Sequence, residues 1–173
     1  MNSTTIFILL AAYSLVALGC AGAGTEDATS VGDQGIDENP FFVESGLPFS
    51  LPPFDQIDDV HYHPAFERGM AVQLAEIEAI ANTLEAPTFE NTIVQMERSG
   101  RLLTRVSNVF FSLTSADTND VLDAVEAEIV PMLSAHNDRI LLNDMLFARV
   151  KTLYDKRDTL DLDAEAQRLV EQY

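Results

Sequence analysis

From Phe66 to Val170 apolar side chains return at three- and four-residue steps, and no competing strand pattern occurs. That period puts them on one face of an α-helix, so an all-α fold is expected. Pro64 suits a first helical turn. Phe66, Met70, Leu74, Ile77, Ile80 and Leu84 make the first stripe, which Glu85-Ala86-Pro87 closes. Thr88 is a natural N-cap for a second helix, read as one run through Phe89, Ile93, Met96, Gly100, Leu103, Val106, Phe110 and Leu113. A helical Gly100 costs about 1 kcal/mol relative to Ala, and close approach of a neighbouring helix is its expected compensation. Glu97 and Arg101 stand four apart and are expected to pair.

Ser115 to Asn119 reads as a polar turn. A third helix carries Leu122, Val125, Ile129 and Leu133, with Pro131 expected to kink it. Asn143 can cap a fourth helix with Leu146, Val150 and Leu153, and Asp163 a fifth with Leu169 and Val170. The helical region is thus 64–173. Its last helix runs to Tyr173 without a closing Gly or Pro, as expected of a longer protein that has been cut off. The faces around Leu169 and Val170 are expected to lack cover, leaving a helical but marginal body prone to self-association.

Residues 40–63 differ. Pro40, Pro48, Pro52 and Pro53 forbid a regular helix, and Phe41, Phe42, Phe49 and Phe54 favour burial. An extended segment laid over the helical body is expected. Residues 20–39 are small and acidic, with Val31 and Ile36 the only large apolar side chains, and read as a flexible tether. Ten of the chain's 28 acidic side chains precede its first basic one, Arg68. With a net charge of −18, nucleic acid is a poor partner, because phosphate contacts need clustered Lys and Arg.

Ile6 to Leu18 is an apolar run broken only by Ser14, and no charged residue precedes Glu26. The run is short for a spanning helix and suits a secretion signal over residues 1–19. Gly19 and Cys20 follow, and Cys20 is the only cysteine. Small and aliphatic residues leading to one Cys resemble the lipobox of bacterial lipoproteins, in which the thiol is acylated and the Cys becomes the new N-terminus. An ordinary cleaved signal and an uncleaved anchor also suit this stretch. An acylated Cys20 implies membrane attachment, at about 0.8 kcal/mol per buried CH₂. Ala21, rather than Asp, favours the outer membrane over the inner, and so a periplasmic, envelope location.

Little in the chain suggests bond-breaking chemistry. His61-Tyr62-His63 offers two imidazoles, but a zinc site needs further ligands, so packing or capping is the expected role. His136, near a helix end, is expected to interact with the last carbonyls. The zinc-protease motif His-Glu-x-x-His, Gly-rich phosphate loops and Gly-x-Ser-x-Gly are absent from the sequence. No catalytic or metal-binding residue is therefore assigned, and no cofactor is expected in this chain.

Several blocks occur in an ordered series. Asn39-Pro40-Phe41-Phe42, Leu47-Pro48-Phe49 and Pro52-Pro53-Phe54-Asp55 come first, then His61-Tyr62 and Pro64-Ala65-Phe66-Glu67. Ala75-Glu76-Ile77-Glu78-Ala79-Ile80, Pro87-Thr88-Phe89-Glu90-Asn91-Thr92-Ile93 and Met96 through Leu103 follow. Ser134-Ala135-His136-Asn137-Asp138 and Tyr154-Asp155-Lys156-Arg157-Asp158 complete the series. Together they resemble the N-terminal region of the thimet oligopeptidase family of zinc metallopeptidases, in its bacterial peptidyl-dipeptidase form. The resemblance implies a helical enzyme with two lobes flanking a channel for short peptides. It also implies that zinc and the catalytic helix lie downstream of the region seen here, so that this chain alone is inactive. A non-catalytic helical peptide-binding protein, or an envelope lipoprotein, is the alternative.

Overall fold

The computed structural model describes residues 39–173; Cys20, the signal segment and residues 20–38 lie outside them. The described part is all-α, with α1 (Tyr62–Ala81), α2 (Gln95–Arg98), α3 (Arg101–Ala116), α4 (Asp120–Leu141), α5 (Asp144–Lys156) and α6 (Ala164–Gln172). Short 3₁₀ turns occur at Pro40–Phe42, Pro48–Ser50, Asp59–His61 and Arg157–Thr159.

Side-chain capping sets the starts of α4, α5 and α6. Asn119 accepts from the N–H groups of Val121 and Leu122 at 2.9 and 3.0 Å. Asn143 accepts from Leu146 at 2.9 Å, and Asp163 from Ala166 at 2.8 Å. Each side chain satisfies N–H groups that have no partner inside their own helix. Thr88 acts likewise: its hydroxyl accepts from Asn91 N–H, and the Asn91 side chain accepts from Thr88 N–H. α1 starts two residues before Pro64 because the Asp59–His61 turn leads straight into it. Pro64 still falls in the first turn, where its missing N–H costs nothing. α4 continues unbroken through Pro131.

The second expected helix is two helices. A π-helical turn over Glu90–Val94 leads into α2, and the chain then breaks at Ser99-Gly100. Gly100 has φ +70°, a conformation costly for any residue with a Cβ. Its N–H donates to Glu76 on α1 at 2.7 Å, and its carbonyl accepts the first bond of α3 from Thr104. The break also separates Glu97 from Arg101. Arg101 pairs instead with Glu44 at 3.5 Å, and Glu97 accepts from the Tyr173 hydroxyl at 2.7 Å. The expected close approach of a neighbouring helix is present at Gly100, where a Cβ would collide with the Gln73 side chain of α1, and a second one occurs at Gly69, where a Cβ would lie 3.0 Å from the Leu103 backbone of α3.

α1 is the central element, packing on α3, α4 and α5. Its first half enters one core with Phe41, Val106, Phe110, Leu122 and Ile129. Its second half enters another with Ile93, Leu146, Leu153 and Val170. Edge-to-face rings hold the first core: Phe110 lies 5.3 Å from Phe66, 5.0 Å from Tyr62 and 5.2 Å from Phe111.

Three burial expectations are corrected. Val170 is fully buried, because α6 folds back onto α5, and Leu169 packs against the same core. Leu84 is fully exposed, because α1 ends at Ala81 and the stripe continues into a turn. Of the four phenylalanines in 40–63, Phe41 is buried and Phe42 half-buried, but Phe49 and Phe54 stand in water. The segment is pinned at its start, where buried Asn39 donates to the His61 carbonyl at 2.8 Å and Arg105 donates to the Phe41 carbonyl.

Candidate functional site

The three histidines each have a separate local role. His61 Nδ1 accepts from Asp58 N–H at 2.9 Å, completing a capping box ahead of α1. His63 lies between Glu128, at 3.2 Å, and Glu67, at 3.7 Å, where solvent keeps such pairs weak. His136 is corrected from its expected place at the last carbonyls of α4. It is buried against α1, with Nε2 2.8 Å from Gln73 Oε1. Among the described residues no group of three or more His, Cys, Asp or Glu is placed to hold a metal ion. The imidazoles are occupied singly and far from forming one ligand set, so these residues do not fit a zinc site.

Burial, reinforced by the Arg139 charge, holds the His136 imidazole below its ordinary pKa. The folded state therefore binds its proton less readily than the unfolded chain does. Stability is full above the ordinary histidine value near 6.5 and falls as pH drops through that value toward the lowered one. Denaturant midpoints measured between pH 8 and pH 5 are expected to fall, and His136→Gln is expected to flatten part of that slope. An identical slope in the variant would contradict the assignment.

The most elaborate polar centre is one the sequence reading missed. Arg149 on α5 is 6% exposed, and its partners among the described residues are all neutral. Its guanidinium donates to the carbonyls of Thr83 and Glu85, both at 3.0 Å, to Asn91 Oδ1 at 2.8 Å and to the Thr92 hydroxyl at 3.1 Å. Asn91 in turn donates to the Ala86 carbonyl at 3.0 Å. One cation thus fixes the connection between α1 and α2 through neutral dipoles. The signal was available: Arg149 sits three residues after Leu146 and four before Leu153, on the apolar stripe itself.

That clamp shapes one wall of an open groove of about 420 Å³ lined by Glu76, Ile80, Thr83, Asn91, Gln95 and Arg98. A second groove, of about 450 Å³, runs between α1 and α4 and is lined mainly by Met70, Leu74, Met132 and Ala135, with His136 and Arg139. Neither contains a cysteine, or a serine paired with a histidine base, that could act as an activated nucleophile. Among the described residues no helix is long and apolar enough to cross a membrane.

The fold defines an all-α body with open grooves on its surface. The chain is 49% identical over 133 residues, 77% of its length, to a dipeptidyl carboxypeptidase of Escherichia coli K12, and covers 20% of that protein. It is 46% identical over 136 residues, 79% of its length, to a dipeptidyl carboxypeptidase of Salmonella typhimurium, again covering 20% of it. No protein-family model matches the sequence. Over this part the chain matches the peptidyl-dipeptidase form of the thimet oligopeptidase family. It spans about a fifth of the length of the curated relatives it matches.

Proposed function

We propose that the chain is the N-terminal helical region of an exported zinc peptidyl-dipeptidase, an enzyme that removes dipeptides from the carboxyl ends of short peptides. The observation that carries this reading is the 49% identity over 133 residues to a dipeptidyl carboxypeptidase. In this reading the helices form part of a wall beside the peptide channel. In the same reading zinc and the groups that activate water lie in the part of such enzymes that this chain does not cover, about four-fifths of the matched relatives.

A chimera tests the assignment: residues 39–173 replace the matched segment of the Escherichia coli enzyme. Release of dipeptides from a short peptide at a rate within about tenfold of the parent, or about 1.4 kcal/mol in transition-state stabilisation, is expected. The full chain by itself is expected to show no chelator-sensitive cleavage. Binding of short peptides by the full chain, together with an inactive chimera, would move the assignment to a non-catalytic peptide-binding protein.

The proposal also places the protein in the bacterial envelope, held by lipid on Cys20, most simply at the outer membrane. The support is the apolar run Ile6–Leu18 followed by Gly19 and the single cysteine. Mass spectrometry of the mature N-terminus is expected to find an acylated Cys20. A free Ala21 or an intact Met1 would exclude the lipid anchor.

A further inference from the structure

The segment between Val43 and Phe54 carries a run of uncovered apolar side chains. Phe49 is 97% exposed, Val43 70%, Phe54 61% and Leu51 52%. Phe49 and Ser50 both have positive φ, 60° and 54°, a conformation unfavourable for side chains with a Cβ. The turn is nevertheless fixed from within. Ser45 Oγ donates to the Leu51 carbonyl and accepts from Leu47 N–H at 3.2 Å, and Ser50 N–H donates to the Leu47 carbonyl at 3.0 Å. The strained turn thus holds an aromatic ring out in water, although a buried position for Phe41 exists a few residues earlier.

Charge and length select what covers this surface. The segment and its flanks carry Asp55, Asp58 and Asp59 besides Glu44, which Arg101 pairs at 3.5 Å, with no Lys or Arg between Asn39 and Glu67. Two copies meeting through the same patch would oppose like charges, and an anionic bilayer would repel it. Any 133-residue stretch of this 173-residue chain includes residues 43–54, so the segment lies inside the part matched to the dipeptidyl carboxypeptidase. About four-fifths of that relative's length lies outside the matched part and offers polypeptide against which such a surface can pack.

We propose that the Val43–Phe54 turn is the seat by which this helical body docks onto the larger remaining part of a peptidyl-dipeptidase polypeptide, through a neutral or basic surface with a pocket for Phe49. The inference rests on the function proposed above. Phe49 is the anchor, with Leu51 and Phe54 beside it, and the acidic rim sets the partner's charge.

The test introduces Phe49→Ser, Leu51→Ser and Phe54→Ser together, both in the chimera described above and in the full chain. In the chimera the thermal midpoint is expected to fall by at least about 5 °C, since burial of three large side chains is lost. In the full chain by itself the midpoint is expected to stay within about 1 °C, because these side chains already face water. A chimera midpoint that does not move overturns the docking seat while leaving the functional assignment intact. An unsubstituted chimera that lacks peptidase activity overturns that assignment and the docking seat with it. A full-chain dimer in sedimentation that the triple substitution abolishes, or flotation with phosphatidylglycerol vesicles that it abolishes, assigns the turn to a second copy or to a membrane and overturns the proposal.

Discussion

Arg149→Ala is expected to lower unfolding stability by about 3–5 kcal/mol, because several buried acceptors lose a charged donor at once and each unsatisfied one costs about 1–3 kcal/mol. The carbonyls of Thr83 and Glu85 and the Thr92 hydroxyl lose the guanidinium donor together, and Asn91 Oδ1 keeps only Thr88 N–H and the Thr92 hydroxyl. Thr92 is fully buried, so water cannot replace the lost bond without opening the body. Lysine does not rescue the site fully, because a compact ammonium cannot reproduce the planar fork that reaches both carbonyls and both side chains. Urea denaturation followed by circular dichroism measures the effect, with Arg149→Lys expected between wild type and Ala. Limited proteolysis should show new cleavage between Asn82 and Thr88. A loss below about 1 kcal/mol, typical of a surface site, would mean that the clamp is not what fixes the turn.

Phe110→Ala is expected to cost about 3–5 kcal/mol as well, for a different physical reason. The ring is fully buried and lies within 5.0 to 5.3 Å, centroid to centroid, of Tyr62, Phe66 and Phe111. Its removal leaves a cavity lined by rigid aromatic groups that cannot collapse into the space. Phe110→Leu fills much of the volume and should cost less than half as much. Thermal and urea melts of the two variants give the comparison. Equal losses would show that edge-to-face geometry, rather than filled volume, dominates at this position.

What the sequence made legible was local. Asn119, Asn143 and Asp163 are found as helix starts because a cap acts within three residues of itself. Gly100 was misread because the apolar stripe has the same spacing on both sides of the break, so periodicity carries straight through a left-handed residue. Val170 was expected to be bare because its cover comes from α5 and the end of α1, a fact of tertiary packing that no spacing reports. The aromatic segment shows the same limit: Phe41 and Phe49 are equally apolar, and only the path of the backbone decides which one is buried. The candidate site was least legible. His136 and Gln73 are 63 residues apart in sequence, and Arg149 lies 57 residues from Thr92. Their pairing depends on how α4 and α5 meet α1, although the position of Arg149 on an apolar stripe was a usable hint.

The sharing of α1 between two cores has a mechanical consequence. A twenty-residue helix of about 30 Å acts as a single rod running through both. A disturbance in the aromatic core tilts or frays the same rod that supports Ile77 and Ile80 in the other. Neither half can open fully while its neighbour keeps native packing, so the deepest amides of both should exchange through one common opening event.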